Sequence, residues 1–295
     1  MTAPLFQTPA LNACRPDLMT VEGFDKPVGA FAGDLLVACT MTRSMTQAST
    51  IALTFADPTR QLMTSPLLNQ AVTISVGCYP DLRFTLVQVQ KSKDQITAGF
   101  EDALINKLRG IKGPWSVGPG AMDRVAFVRH MLYDVGTEID VIGPADGATP
   151  KSLVPLTRGT AQDPNEDTWA CITRLAQDVG YRAFSDGHSI WFAPDDWLMN
   201  HRPLFPVAEF TDLCDYVDFD YDAGKPVSTA TIFGYSTTWS GPIGAGLYLS
   251  NMAAANGSTY LVSEISRDLF HTPVTVKVVA NGPSLPEPTP DDAGI

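Results

Sequence analysis

Basic residues are scarce in this 295-residue chain: 20 lysines and arginines stand against 32 aspartates and glutamates, a formal net charge of −12. Affinity for a phosphate backbone comes from Lys and Arg that displace counterions, so this balance argues against a protein that grips nucleic acid. It suits a surface past which DNA slides without sticking, and equally an acidic surface that serves only solubility. Cysteine is sparse and scattered. Cys14, Cys39, Cys78, Cys171 and Cys214 lie far apart with no C-x-x-C pair, which argues against a disulfide framework or zinc site and for buried free thiols. The histidines His130, His188, His201 and His271 are equally dispersed. No run approaches the ~20 apolar residues of a membrane-spanning helix. The opening MTAPLFQTPALNACRPD has neither a basic leader nor a long apolar core, so no Sec signal is expected. G-x-S-x-G, H-E-x-x-H, Walker A and G-x-G-x-x-G are absent, which removes the common nucleophile, zinc and phosphate signatures. Neither an enzyme nor a cofactor is expected.

What is present is β-structure at both ends of the chain. Ile51, Leu53 and Phe55 alternate, as do Val72, Ile74 and Val76, and then Leu82, Phe84 and Leu86. After Leu86 the apolar phase moves to Val87 and Val89, which predicts a bulge that bends the strand. About residues 30–97 thus read as a small antiparallel barrel or sandwich. The β pattern returns from roughly Asp218, with 227–233, 247–250, 259–265 and 274–280 as strands, until Pro283, Pro286, Pro288 and Pro290 forbid further pairing.

The middle is α+β. Phe100–Leu108 allows a short helix, and Asp123–Val135 has Val125, Val128, Leu132 and Val135 on one helical face before Gly136. Asp163, Pro164 and Glu166 predict a cap, a first-turn proline and a reciprocal acid, followed by a stripe of Thr168, Ile172, Leu175 and Val179 and a stop at Gly180. Asp186-Gly187 then marks a hairpin turn between 181–184 and 189–192. A 44-residue shift aligns Asp123 with Asp167 and Asp134-Val135-Gly136 with Asp178-Val179-Gly180. Either a helix module is duplicated or two helices share a stop by chance.

Few constellations carry chemistry. Asp218, Asp220 and Asp222 alternate and fail as an EF-hand loop, because Gly224 is displaced and Thr229 stands where the bidentate Glu belongs. On a strand they line one solvated face, a candidate interface or lumen surface. Trp169 and Trp191 read as core, while Trp197 and Trp239 are candidate exposed aromatic contacts. Asn256-Gly257 reads as a tight turn rather than a glycosylation acceptor.

Three blocks add up to a resemblance. DPNEDTWACITRLAQDVGYRAFSDGHSIWFAPDDWL, then VDFDYDAGKPVSTATI, then GSTYLVSEISRDLF with VTVKV before PSLPEP resembles the tail hub, often labelled minor tail protein, of long-tailed bacteriophages infecting actinobacteria. ASTIALTFADPTRQLMTSPLL is similar to the first barrel of the same hub family, which contractile-tail baseplates share. The likeness runs from about Ala48 to Pro290.

It implies a mainly β fold with an α+β insertion, two related antiparallel β-barrel domains flanking the helices. The divisions are 1–98 for the first barrel, 99–205 for the α+β part, 206–282 for the second barrel and 283–295 for a proline-rich arm. It further implies a homotrimer at the virion tail tip, assembled in the host cytoplasm, that adapts a sixfold tube to a threefold tip. Its partners would be the distal tail protein ring, the tail tube, the tape measure protein and peripheral tip proteins, with no specific nucleic-acid binding and no membrane span. The chain stops soon after PSLPEP, leaving no room for a fused cell-wall hydrolase or receptor-binding fibre. A glycan-binding tail module and a peptidoglycan-cleaving tail enzyme are the alternatives.

Overall fold

The computed structural model describes residues 19–22, 26–27, 35–64, 68, 72–76, 79–113, 116–117, 124–134, 139–144, 160–161, 165–202, 204–219, 229–235, 242–249, 259–269 and 273–280. Along the chain come β1 (Met19–Val21), β2 (Lys26–Pro27), β3 (Leu36–Ser44), β4 (Thr50–Ala56), β5 (Thr73–Val76), β6 (Tyr79–Lys91) and β7 (Gln95–Asp102). Next are α1 (Ala103–Arg109), β8 (Ser116–Val117), α2 (Arg124–Asp134), β9 (Asp140–Ile142), β10 (Thr160–Ala161), α3 (Thr168–Gln177), β11 (Arg182–Ser185), β12 (Ser189–Ala193) and α4 (Asp195–His201). The last strands are β13 (Leu204–Val207), β14 (Tyr216–Asp218), β15 (Thr229–Tyr235), β16 (Gly246–Leu249), β17 (Thr259–Asp268) and β18 (Pro273–Ala280). These elements form two compact units, one from 1–103 with 202–280 and one within 104–201.

The first unit is a single 13-stranded sheet, ordered β14-β15-β18-β17-β3-β4-β7-β6-β5-β1-β2, with β13 and β16 joined beside β17. Every pairing in it is antiparallel except β13 with β16. Alternation decides its faces: Ile51, Leu53 and Phe55 on β4, Ile74 and Val76 on β5, Leu82 and Phe84 on β6 enter one core with Met41, Ile96 and Phe100. The predicted break after Leu86 is present, with the β6–β7 register slipping between Leu86 and Gln88. A second slip lies between Leu36 and Ala38 on β3. These bulges add twist, and the run from β3 to β1 curls until the Cys39 thiol on β3 reaches the Met19 sulfur on β1 at 3.9 Å. That approach is made by side chains, and no closed barrel is formed among the described residues.

β17 joins the two ends of the chain. Its first residues pair with β16, the register slips between Val262 and Glu264, and Glu264–Asp268 then pair with Ser44–Thr40 of β3. Strands before and after the helices thus share one hydrogen-bonded surface.

In the second unit β11, β12 and β9 form a three-stranded sheet, with β12 and β9 parallel, and β8 pairs with β10. The cap of α3 is Asp167, whose carboxylate accepts from the Ala170 amide at 2.7 Å. Asp163 and Pro164, read as cap and first-turn proline, lie outside the described residues. Glu166 forms a two-point pair with Arg174 at 3.0 and 2.9 Å, which raises the arginine's pKa. The helix therefore starts where the buried stripe of Thr168, Ile172 and Leu175 starts. Gly180 turns the chain at φ 67°, and Tyr181 donates back to the Ala176 carbonyl at 2.8 Å. The hairpin turn is Asp186-Gly187, with Gly187 at φ 101°. One carboxylate oxygen of Asp186 accepts from the Ser189 amide and the other from the Trp191 indole at 2.6 Å, so the turn is tied to the strand it feeds.

Candidate assembly surface

The face of the large sheet that turns away from the core is coated with hydroxyls. Following the register from β18 to β5, Thr275, Ser266, Thr42 and Thr50 stand opposite one another in turn, then Glu101, Thr85 and Thr73. Phe233 and Tyr216 extend the same row to β14, their rings stacked at 4.5 Å. Neighbouring hydroxyls bond across strands, Thr73 with Thr85 and Thr54 with Thr97 at 3.3 Å and Thr20 with Ser75 at 2.6 Å. Threonine suits a half-exposed pleat, and its hydroxyl offers hydrogen bonds without a charge to desolvate. The hydroxyls of this face can be covered by another protein at lower cost than its ions, Lys277 with Glu264 and Arg83 with Glu22, which pair with each other. The signal was open to sequence reading as Thr or Ser at every second position opposite the apolar set.

At the β14 end a compact loop carries an exposed aromatic. Phe210 is 85% exposed and non-glycine, yet its φ is 58°. Hydrogen bonds hold it there: its amide donates to the Asp215 carbonyl at 3.0 Å, Thr211 and Cys214 exchange amide bonds, and Asp215 donates to Phe233 at 2.8 Å. Val217 donates its amide to Glu209 Oε1 at 2.9 Å, so this edge strand's N–H is capped by the chain's own carboxylate. Gly234 completes the clamp, since a Cβ there would lie 2.3 Å from the Leu213 carbonyl oxygen. Asp218 is exposed on β14, opposite Thr231. Asp220 and Asp222 lie outside the described residues.

The tip of the β6–β7 hairpin is different. Val87, Val89, Lys91 and Lys93 are all exposed there. A second turn is tied to it by the Asp57 amide, which donates to the Asp94 carbonyl at 3.0 Å. The buried Asp57 carboxylate accepts from the amides of Gln61 and Leu62 at 2.8 and 3.0 Å and leaves Arg60 at φ 61°, exposed.

In the α+β unit Trp169 and Trp191 are buried, as core residues. Trp197 on α4 is half-buried, with one face stacked on His201 at 3.8 Å. Trp239 lies outside the described residues, as do Asn256 and Gly257. Arg182 makes a two-point pair with Asp195 at 2.9 and 3.0 Å, and this raises the Arg182 pKa. Burial pushes the thiols of Cys39, Cys171 and Cys214 up to about 12, helped by Asp268, Glu166 and Glu209 respectively. They are poor nucleophiles near neutral pH. Among the described residues no three or more His, Cys, Asp or Glu gather as a metal site, and no helix is long and apolar enough to cross a membrane. What the geometry offers is broad surface for association.

No family model and no curated protein matches the sequence. Solved structures do match. A tail protein of Neisseria meningitidis is similar over 90% of this chain and 96% of its own, with a TM-score of 0.58 and 11% identity. A 43 kDa tail protein of a Shewanella oneidensis prophage is similar over 89% and 98%, with a TM-score of 0.61 and 10% identity. An Escherichia coli component of the type VI secretion system, itself described as similar to the bacteriophage T4 tail proteins gp27 and gp5, is similar over 92% and 80%, with a TM-score of 0.61 and 12% identity. At such identities the likeness is one of fold.

Proposed function

We propose that this chain is a structural, non-enzymatic subunit of a phage tail: a hub of which three copies cap the distal end of the tail tube. The observation that carries this reading is the extent of the fold match, since tail proteins of two bacteria align across nearly all of this chain and nearly all of themselves. A likeness confined to one sheet would be a weaker guide, because common folds host many functions.

The β3–β17 ladder supports the finer picture of two related β-barrel domains. β3 and β17 each pair with the strand that follows, β4 and β18, and each of those with a third, β7 and β15. The two sets meet antiparallel with Thr42 opposite Ser266, an approximate twofold arrangement. Three copies of a chain with two similar halves present six similar faces to a sixfold tube. In this reading the hub contacts the distal tail protein ring and peripheral tip proteins, passes the tape measure protein and DNA, and is located at the virion tail tip after assembly in the host cytoplasm. The alternating Asp218, Asp220 and Asp222 line its lumen or an interface, where a charge like that of DNA prevents sticking.

The test is a cryo-electron microscopy reconstruction, with threefold averaging, of the tail tip of particles that contain this chain. Three copies traced in the ring below the tube are expected, with Asp218 facing the channel or a subunit contact. A ring traced to a different protein would sink the hub assignment, and lysines or arginines lining the channel would sink the role of the acidic strand.

A further inference from the structure

Two distant surfaces of the β unit carry opposite chemistry. Around Phe210 and the 41% exposed Tyr216, the described residues 204–219 contain four acids (Glu209, Asp212, Asp215 and Asp218) and no lysine or arginine. Across the ladder Lys277 stands opposite Thr231, and its ammonium is engaged by Glu264 at 2.7 Å. In the two turns tied by the Asp57–Asp94 hydrogen bond Arg60, Lys91 and Lys93 are exposed, as are Val87 and Val89 on β6, with Asp94 an exposed acid beside them in sequence. The described residues include two non-glycine positions at positive φ, Phe210 and Arg60, and one stands in each surface. Backbone held in that region is costly and persists where surrounding structure enforces it, often at working surfaces.

We propose that these surfaces bind each other between copies of this chain, the acidic Phe210 loop of one copy seating on the basic hairpin tip of the next. Within one copy six strands stand between β14 and β6 in the sheet order, roughly 30 Å along the sheet. The contact is head to tail: each copy donates one surface and accepts with the other, which generates a closed ring when the rotation closes. Phe210 and Tyr216 supply the anchoring burial, and the charges choose the partner and set its orientation. The ring number rests on the homotrimeric hub reading, whereas the pairing of the surfaces does not.

The experiment uses two single-site variants of the full chain, Asp212→Cys and Lys93→Cys, each with Cys14 and Cys78 replaced by serine, under mild oxidation. The mixture is expected to give a disulfide-linked pair, and each variant alone is expected to give almost none. A linked pair from either variant alone, or none from the mixture, overturns the proposal. In parallel, Lys91→Glu with Lys93→Glu should weaken self-association measured by sedimentation about ten-fold. Adding Asp212→Lys with Asp215→Lys to the same chain should restore it; failure to restore overturns the proposal, and restoration also establishes that the variant is folded. Cross-linking in a protein absent from the tail tip would leave this contact standing and the hub reading fallen. A traced hub ring without this contact would do the reverse.

Discussion

In the α+β unit the polar groups that anchor the fold are neighbours in sequence: Glu166 with Arg174, Arg182 with Asp195, Asp186 with Trp191. In the β unit Asp57 and Glu209 tie their own loops in the same way, while other polar groups become neighbours only across a ladder. Arg43 stands opposite Ile265 and Arg267 opposite Met41, so two guanidinium groups, 3% and 2% exposed, sit diagonally on one face of the β17–β3 seam. On the same side Asp102 is buried too, its amide donating to the Ser49 carbonyl at 2.9 Å. The smaller unit thus adds to its long-range contacts, such as Thr168 with the Ile111 carbonyl, several devices that form within a short stretch of chain, whereas the buried arginines of the larger one need the sheet in place.

The strongest way to break this contrast is Phe100→Ala, at the centre of the sheet's core. It should cost about 3–5 kcal/mol, measured as a lowered urea midpoint by far-ultraviolet circular dichroism. Trp115, Trp169, Trp191 and Trp197 lie within 104–201 and only Trp239 elsewhere, so tryptophan fluorescence reports mainly the α+β unit. Its midpoint should move less, and an equal fall in both signals would erase the distinction. Next, Asp195→Asn removes the charge from a hydrogen-bonded pair whose acid is nearly buried, for about 2 kcal/mol; here fluorescence should shift first. Asp167→Ala deletes the cap of α3 for about 1 kcal/mol, whereas Asp163→Ala should change little.

The thiols sharpen the comparison without mutation. Their folded pKa values lie above the ordinary one, so the folded state keeps protons that the unfolded chain releases. This stabilisation is complete below about pH 9 and is lost as pH rises toward about 12. Native protein at pH 8 should therefore react slowly with Ellman's reagent at Cys39 and Cys171, one in each unit, and quickly once denatured in urea. Rapid native labelling of either would contradict its burial.

Local pattern revealed much of this. Alternation at Ile51, Leu53 and Phe55 placed a strand and its buried face, the phase change after Leu86 located a bulge, and Asp186-Gly187 located a hairpin. Which strand lies beside which was not legible, because period two states that a face is buried and not against what. The union of β17 with β3 and the parallel pair β13 with β16 come from tertiary closure alone. The expected cap of α3, Asp163, stands four residues before the observed one, Asp167, and both aspartates are followed by plausible first-turn residues, so local pattern did not separate them. Of the candidate surface, the acids were visible and the knob was not: a phenylalanine at positive φ runs against local preference, so only the hydrogen bonds around it reveal it.

The β17–β3 seam also sets an order of events at the ribosome. Glu264 pairs with Ser44, made 220 positions earlier. At about 5–20 residues per second, β3 waits roughly ten to forty seconds with one edge unpaired. For that interval the nascent chain presents the Thr40–Ser44 edge of β3 as an open strand to every other growing copy nearby.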